Sequence, residues 1–383
     1  MSSIVVVGGG IIGTGIAYYL RDSDHRVTLV EKNQLGSGTS RYSTAMFGWH
    51  FPHPADYLFR RRSWAGWRDV LEQTDLEHHT VGNVRVARSQ EALSELRETV
   101  AVQQSYGIET RMISPEEAAE YGIDPDAIEG AMHSPREGYV NQQGFMEFYA
   151  ERAQEHGVEV LTGTEVHDVT TEDGAVTGVE TEAGHIDADV VVNAAGPWSP
   201  RLNDMVEVSL PLKHSRAQIM VLQADAPHGF PFIDLEGDHY FRPESETKML
   251  AGRHGPPFHQ IGELDPDHAH DIQEEFRLSV IDQIETVVPG LQETEVINDW
   301  VGIRTVTPDG RPVLGPTSVE GFVVATGMSG SGVSQHAAVA KTLSQYFRTG
   351  EASDTLRYHA PSRFRGQSGT EAQLGPTGPT HPQ

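Results

Sequence analysis

The chain has 383 residues, enough for two packed units and hardly for more. Its 28 lysines and arginines face 55 aspartates and glutamates, a net charge of −27 that argues against nucleic acid and anionic membrane surfaces as partners. With no cysteine, disulfides, thiolate metal sites and a cysteine nucleophile are excluded. Lys32, Lys213, Lys248 and Lys341 are the only lysines, so nearly all positive charge is arginine. Such an acidic, lysine-poor surface resembles proteins of a high-salt cytoplasm, where screening tolerates self-repulsion, and a halophilic protein is the expectation. The first strand-like run begins at Ile4, leaving no room for a signal peptide, and no apolar run approaches the ~20 residues of a membrane span. A soluble, cytoplasmic location is therefore expected.

Residues 4–7 are apolar and mostly β-branched, the pattern of a parallel strand buried on both faces. The run ends in Gly8, Gly10 and Gly13, spaced G-x-G-x-x-G. A helix-compatible segment at 11–20 follows, then a polar turn and a second strand-like run at 27–30 closed by Glu31. Gly8 permits a sharp turn from strand to helix, Gly10 lets backbone approach a pyrophosphate, and Gly13 lets helix pack on strand. The N–H groups at the positive end of the new helix then face the phosphates. Glu31 stands where a carboxylate accepts hydrogen bonds from the adenosine ribose hydroxyls and repels a 2′-phosphate, which disfavours NADP. The pattern predicts dinucleotide binding, with a glycine-rich structural turn as the alternative.

The stretch LGSGTSRYSTAMFGWHF carries Ser37, Thr39, Ser40 and Arg41 towards the same phosphates, or forms a polar surface loop. Residues 55–71 read as a helix with Trp64, Trp67 and Leu71 buried and Arg60, Arg61 and Arg62 on a solvated face. From His79 the character changes to an alternating strand at 81–87, a polar helix at 90–106 and an S-P-E-E helix start at 114–121, which together look like an insertion. An amphipathic helix at 141–156 and a strand at 158–161 follow. A meander then turns at Asp173-Gly174 and Ala183-Gly184 and runs into a second apolar strand at 190–192, ending in Asn193-Ala194-Ala195-Gly196-Pro197-Trp198.

Residues 210–299 form a second β-rich region, with strands in RAQIMVLQ, GDHYFRP and KMLAGRH and a helix at 271–287. Within it, DPDHAHD at 265–271 fits no common metal spacing and reads as a charged loop capping that helix. The last third supplies a third apolar strand at 322–325, a small-residue loop at 327–332 and a helix at 333–347. Residues 366–383 have little to bury and are expected to be a disordered tail. Three strand-to-glycine-loop junctions, near Gly8, Gly196 and Gly327, would gather at one edge of a doubly wound sheet, which suggests a cofactor longer than one pyrophosphate.

VVVGGGIIGTGIAYYL with Glu31, the GSGTSRYSTA loop, GYVNQQGF, VVNAAGPWS, GDHYFRPE and WVGIRTVTPDGRPVLGP followed by ATGMSGSGVSQ resemble the D-amino-acid oxidase superfamily of FAD-dependent amine oxidoreductases. That superfamily includes sarcosine and glycine oxidases, dimethylglycine dehydrogenase, the proline dehydrogenase β subunit and D-amino-acid dehydrogenases, and the likeness covers residues 3–348. It implies an α/β fold: a Rossmann-like FAD-binding domain formed by 1–78, 140–208 and 298–360, with an antiparallel sheet and helices at 79–139 and 209–297 inserted as the substrate domain. It further implies that Gly8, Gly10, Ile12 and Gly13 hold the pyrophosphate and that Glu31 and Lys32 lie by the ribose. Ser37, Thr39, Ser40 and Arg41 would meet the phosphates and ribityl chain, and Val166 the adenine. Ala194, Ala195, Gly196 and Trp198 would line the dinucleotide. Gly327, Met328, Ser329, Gly330, Ser331 and Gly332 would set N–H groups against the flavin N1–C2=O edge.

The resemblance assigns the substrate carboxylate to Arg304 and one face of the substrate to Tyr240, with His50 nearby. On chemistry alone Arg304 could equally pair with a surface carboxylate; with the likeness, a bidentate clamp is the better reading. Relatives with histidyl-linked flavin carry His where this chain has Arg41, so a dissociable FAD is expected. Leu250 appears where oxidases of the sarcosine type present a lysine, which favours a dehydrogenase. The implied activity is oxidation of a small amino acid or N-methyl amino acid next to its amine, by hydride transfer to flavin N5, with oxygen, a quinone or an electron-transfer protein as acceptor. The alternatives are a 2-hydroxy-acid or glycerol-phosphate dehydrogenase on the same fold, and a non-catalytic FAD-binding subunit. No metal is implied.

Overall fold

Apolar runs without alternation need cover on both faces, and the structure supplies it. A computed structural model describes residues 2–49, 54–268 and 270–365; His50 and the expected tail lie outside the described residues. Ser3–Val7, Arg26–Val30, Val190–Asn193 and Phe322–Thr326 are parallel strands of a six-stranded sheet, with Glu159–Leu161 parallel at one edge and Val313–Pro316 antiparallel at the other. Along the first strand, Ile4 and Val6 enter a cluster with Ile16, Phe145, Tyr149 and Ala338 from the helices Ile11–Leu20, Gln142–Glu155 and Gly332–Thr349. Val5 and Val7 point the other way, against Val169, Val176 and Val179 of the three-stranded meander. Helices, parallel sheet and meander are thus three layers, and both faces of the middle one are buried.

An eight-stranded sheet gathers Thr294–Val306, Lys213–Ala224, Lys248–Arg253, His239–Pro243, Phe232–Leu235, Asn83–Ala87, Gly130–Ser134 and Arg111–Ile113, in that order. Its neighbours are antiparallel except Phe232–Leu235 with Asn83–Ala87. One face, through Met220, Phe241 and Met249, packs on Phe276, Val280 and Ile284 of the helix Glu274–Thr286. The first strand of this sheet runs through residue 298, where a boundary was expected. No helix among the described residues is long and apolar enough to cross a membrane.

The architecture is the mixed α/β fold that the sequence implies. Some local expectations change. Consecutive helical residues are about 100° apart, so Arg60, Arg61 and Arg62 cannot share a face. Arg61 is exposed, whereas Arg60 donates to Ser334 Oγ (2.5 Å) and Arg62 to Lys341 O (3.0 Å). The strand expected to alternate over 81–87 is Asn83–Ala87, buried at every position because sheet neighbours flank it and both faces are covered.

His336 sits fully buried in the helical layer, its Nδ1 2.6 Å from Val333 O and its Nε2 2.9 Å from the Tyr149 hydroxyl. A carbonyl only accepts, so Nδ1 carries the proton and Nε2 accepts from Tyr149. Burial pulls the imidazole pKa down to about 4. The unfolded chain takes up this proton near pH 6.5, so stability falls as pH drops from 6.5 towards 4, by up to about 3 kcal/mol. Urea unfolding at pH 7 and pH 4.5 should show this loss, and His336→Leu should have a shallower pH dependence; equal slopes would contradict the assignment.

Candidate cofactor and substrate site

Three neighbouring parallel strands end together: Val7 lies level with Asn193, and Asn193 with Val324. Their loops make one elongated cleft. Gly8 has φ +113°, and a Cβ there would lie 2.5 Å from Ala194 O, so the first two loops touch through a position only glycine fits. A Cβ on Gly13 would fall 1.9 Å from Gly8 O, which presses the helix Ile11–Leu20 onto the strand end. Ser40 Oγ accepts from Ile11 N (3.0 Å), joining the 37–43 loop to the start of that helix. Glu31 is fixed at its strand tip by Gly9 N (2.6 Å) and Asn33 N (2.9 Å).

Gly8, Gly10, Ile12, Glu31, Lys32, Ser37, Thr39, Ser40, Val166, Ala194, Ala195, Gly196, Trp198, Gly327, Met328, Gly330 and Gly332 all line this cleft. Gly13, Arg41, Ser329 and Ser331 are absent from its lining. Gly13 packs behind it; Arg41 is exposed, its guanidinium 5.3 Å from the Tyr42 ring centre. Ser329 Oγ is taken by Thr307 N (3.2 Å), and Ser331 Oγ faces Arg60 (3.5 Å).

Motif reasoning missed a latch over the cleft mouth. Asp267 Oδ1 accepts from the Trp198 indole N–H (2.6 Å), Asp267 Oδ2 pairs with Arg201, and Asp265 meets Arg201 at 3.0 Å. Lys32 Nζ lies 3.5 Å from Asp267 and 3.9 Å from the centre of the Trp198 ring. The 265–271 segment therefore does not cap the following helix, which begins at Glu274 with Gln273 as its N-cap. Its acids find cations and an indole across the cleft instead. The Trp198 bond, with Arg201 and Lys32, holds the Asp267 carboxyl down to about 2. Arg201 is far from 265–267 in sequence, so no local pattern announces the contact. Among the described residues no cluster of three or more His, Cys, Asp or Glu is arranged to hold a metal.

Arg304 and Tyr240 are likewise absent from the cleft lining; they stand beyond its Gly330 end, on the second face of the eight-stranded sheet. Ser215 pairs with Arg304, Ile219 with Gly252, and Gly252 with Tyr240, so Arg304 and Tyr240 share that face. Arg304 Nη2 donates to Arg253 O (2.8 Å) and Nη1 to Arg216 O (3.4 Å), which holds the guanidinium across the gap between two strands. A Cβ on Gly330 would lie 3.2 Å from Arg304 Cδ, so the arginine abuts the 327–332 loop. The buried Tyr240 ring lies over Gly252, and its hydroxyl interacts with Arg304 and Thr44. Burial raises the Tyr240 pKa, opposed by Arg304, and the same burial lowers that of Arg304. Thr39 Oγ1 to Ile303 O (2.9 Å) and Trp300 Nε1 to Tyr42 O (3.2 Å) bind the 39–42 loop to this sheet. His50 lies outside the described residues.

With that geometry in place, comparison with known proteins is direct. The family model described as "FAD dependent oxidoreductase" (DAO) matches residues 3–346. Glycine oxidase of Geobacillus kaustophilus (strain HTA426) is 26% identical over 342 residues, covering 86% of this chain and 88% of the enzyme. The mitochondrial pyruvate dehydrogenase phosphatase regulatory subunit of Mus musculus is 25% identical over 375 residues; 93% of this chain aligns, but the chain spans only 42% of that protein's length. The crystal structure of L-proline dehydrogenase from P. horikoshii superimposes with a TM-score of 0.86 at 25% identity, covering 95% of this chain and 97% of the other. The match along nearly the whole folded chain shows that this protein belongs to the DAO family of FAD-dependent oxidoreductases.

Proposed function

We propose that the chain oxidises a small amino acid or N-methyl amino acid at the carbon next to its amine, with FAD in the cleft between the Gly8 loop and Tyr240. The observation that carries this reading is the contact of Arg304 with Gly330: it sets a carboxylate-binding cation against the glycine loop at the far end of a dinucleotide-type cleft. The donor set fits FAD, with a glycine cradle at one end, Glu31 beside it, and the 327–332 loop opening the helix Gly332–Thr349 at the other. Bound there, FAD supplies a two-electron acceptor for the hydride leaving the substrate carbon, whose imine product water hydrolyses.

The protein's own part is orientation. Arg304, already held by two carbonyls, offers its remaining N–H groups to the substrate carboxylate and so needs little reorganisation on binding. Tyr240, whose pKa burial raises further from neutrality, lies beside that clamp and can donate to the same carboxylate. No side-chain base is assigned; the amine binds neutral and its lone pair assists hydride departure. The 37–49 loop contains neither His nor Cys, which supports a dissociable flavin. On the strand Lys248–Arg253 the position the resemblance singles out is Leu250, with Lys248 two residues away on the same face, and the leucine there supports a dehydrogenase. We further propose that the six-stranded sheet with its helices forms the cofactor half and the eight-stranded sheet the substrate half.

A silent FAD-binding subunit is the second reading, supported by the likeness to a regulatory subunit. Anaerobic mixing of the yellow protein with sarcosine, proline, D-alanine and lactate separates the cases: bleaching by an amine supports the proposal, bleaching by lactate alone supports a hydroxy-acid enzyme, and no bleaching supports the silent subunit.

Arg304→Ala is expected to raise KM for carboxylated amines by about 10- to 100-fold, the scale of a lost charged hydrogen-bond pair, with flavin absorbance per chain unchanged. Unaltered KM would remove Arg304 from the site. Asp267→Ala should weaken FAD retention about fivefold at low ionic strength and less in high salt, since an exposed ion cluster is worth about 1 kcal/mol and is screened. Equal flavin dissociation constants for variant and wild type would show that the latch does not bear on the cofactor.

A further inference from the structure

We propose that Arg242 is a second anion-recognising residue of the substrate pocket, and that the substrate class is an amino acid bearing a second carboxylate. The proposal rests on the reading above, in which the face carrying Tyr240 meets the substrate. Arg242 follows Tyr240 by two residues on the same strand, His239–Pro243, and so projects from the same face. Arg304 and Arg242 flank Tyr240 from opposite ends. Arg304 donates to the carbonyl of Arg253, which pairs with His239 just before Tyr240, whereas Arg242 lies beyond it, opposite Leu250.

Arg242 has one counter-charge, at the rim, and none in the interior where most of its guanidinium lies. Its side chain is 5% exposed, yet Nε and Nη1 are buried with no hydrogen-bond partner. Nη2 meets Glu244, whose side chain is 45% exposed and stands at the rim. The guanidinium carbon lies 4.0 Å from the centre of the Tyr139 ring, which fixes its plane without neutralising it. Burial draws its pKa down to about 10, so it stays charged at neutral pH.

The neighbouring buried arginine shows the contrast. Arg85, two strands away on the same sheet, is neutralised by Asp234 at 2.5 Å, with both side chains below 10% exposure. Arg304 likewise has no carboxylate partner among the described residues, only two carbonyls. The buried acid on this sheet face, Asp234, is taken by Arg85, so in a chain of net charge −27 neither Arg304 nor Arg242 has a buried carboxylate partner among the described residues. Leaving buried donors unsatisfied is costly, and a ligand anion removes the cost at each. The α-carboxylate would sit at Arg304, and the second carboxylate at Arg242.

Propionate and succinate, unreactive mono- and dicarboxylates, test this by titration of the flavin absorbance of the FAD-loaded protein. Succinate is expected to bind at least tenfold more tightly than propionate, and Arg242→Gln should bring the ratio of affinities to about one. Equal affinities in the wild type overturn the inference whether or not the variant folds, and so does a succinate preference that survives Arg242→Gln. If propionate perturbs the flavin and Arg304→Ala abolishes that response while succinate has no advantage, the inference about Arg242 fails and the substrate-pocket reading stands. If neither ligand perturbs a fully flavinated protein, both fall.

Discussion

The contact between Gly8 and the Ala194 carbonyl is the constraint on which the rest depends. It exists because two parallel strands, far apart in sequence, are neighbours in one sheet and end at the same level. Each strand is apolar on both faces because helices cover one side and a β-meander the other, and that double cover fixes the register. With the strand ends level, the loops after them can share one ligand. A side chain at residue 8 would separate them and open the cradle, so the hydrophobic layering of the sheet and the shape of the cleft at its edge are two aspects of one packing arrangement.

The second half of the site comes from joining this edge to the eight-stranded sheet. The 39–42 loop bridges them: Ser40 bonds to the first helix, while Thr39 and Tyr42 bond to the strand that carries Arg304. Arg304 then touches the 327–332 loop through Gly330. A cation held by two strands is placed against a loop from the other sheet, and the separation of the two is set by hydrogen bonds to backbone carbonyls. Across the other end of the cleft, Asp267 bridges the halves again through Trp198 and Arg201.

Much of this was legible in the residues. Gly8, Gly13 and Glu31 announce their geometry because a positive φ, a helix–strand contact and an acid at a strand tip leave local signatures. The meander was legible for the same reason, since Asp173-Gly174 marks its turn. The Arg60–Arg62 triplet was misjudged because composition was read in place of helical angle. The strand Phe232–Leu235 went unnoticed in a Pro- and Gly-containing stretch, where its pairing with Asn83–Ala87 is purely non-local. The Asp267 latch and the lack of a buried acid at Arg242 were illegible for a deeper reason: both depend on which side chains a distant segment brings, or fails to bring, within a few ångströms. The six-stranded sheet and its loops are built on short-range rules and the eight-stranded sheet on long-range pairing, so the sequence speaks more clearly about the first.

The central claim is that one extended nucleotide spans from the Gly8 loop to the Arg304–Tyr240 face. A crystal structure of the protein reconstituted with FAD tests it most directly. The account predicts pyrophosphate density over Gly8 and Gly10 and the isoalloxazine ring between the 327–332 loop and Tyr240. A flavin seated elsewhere, or reversed so that adenine lies against Arg304, would contradict it.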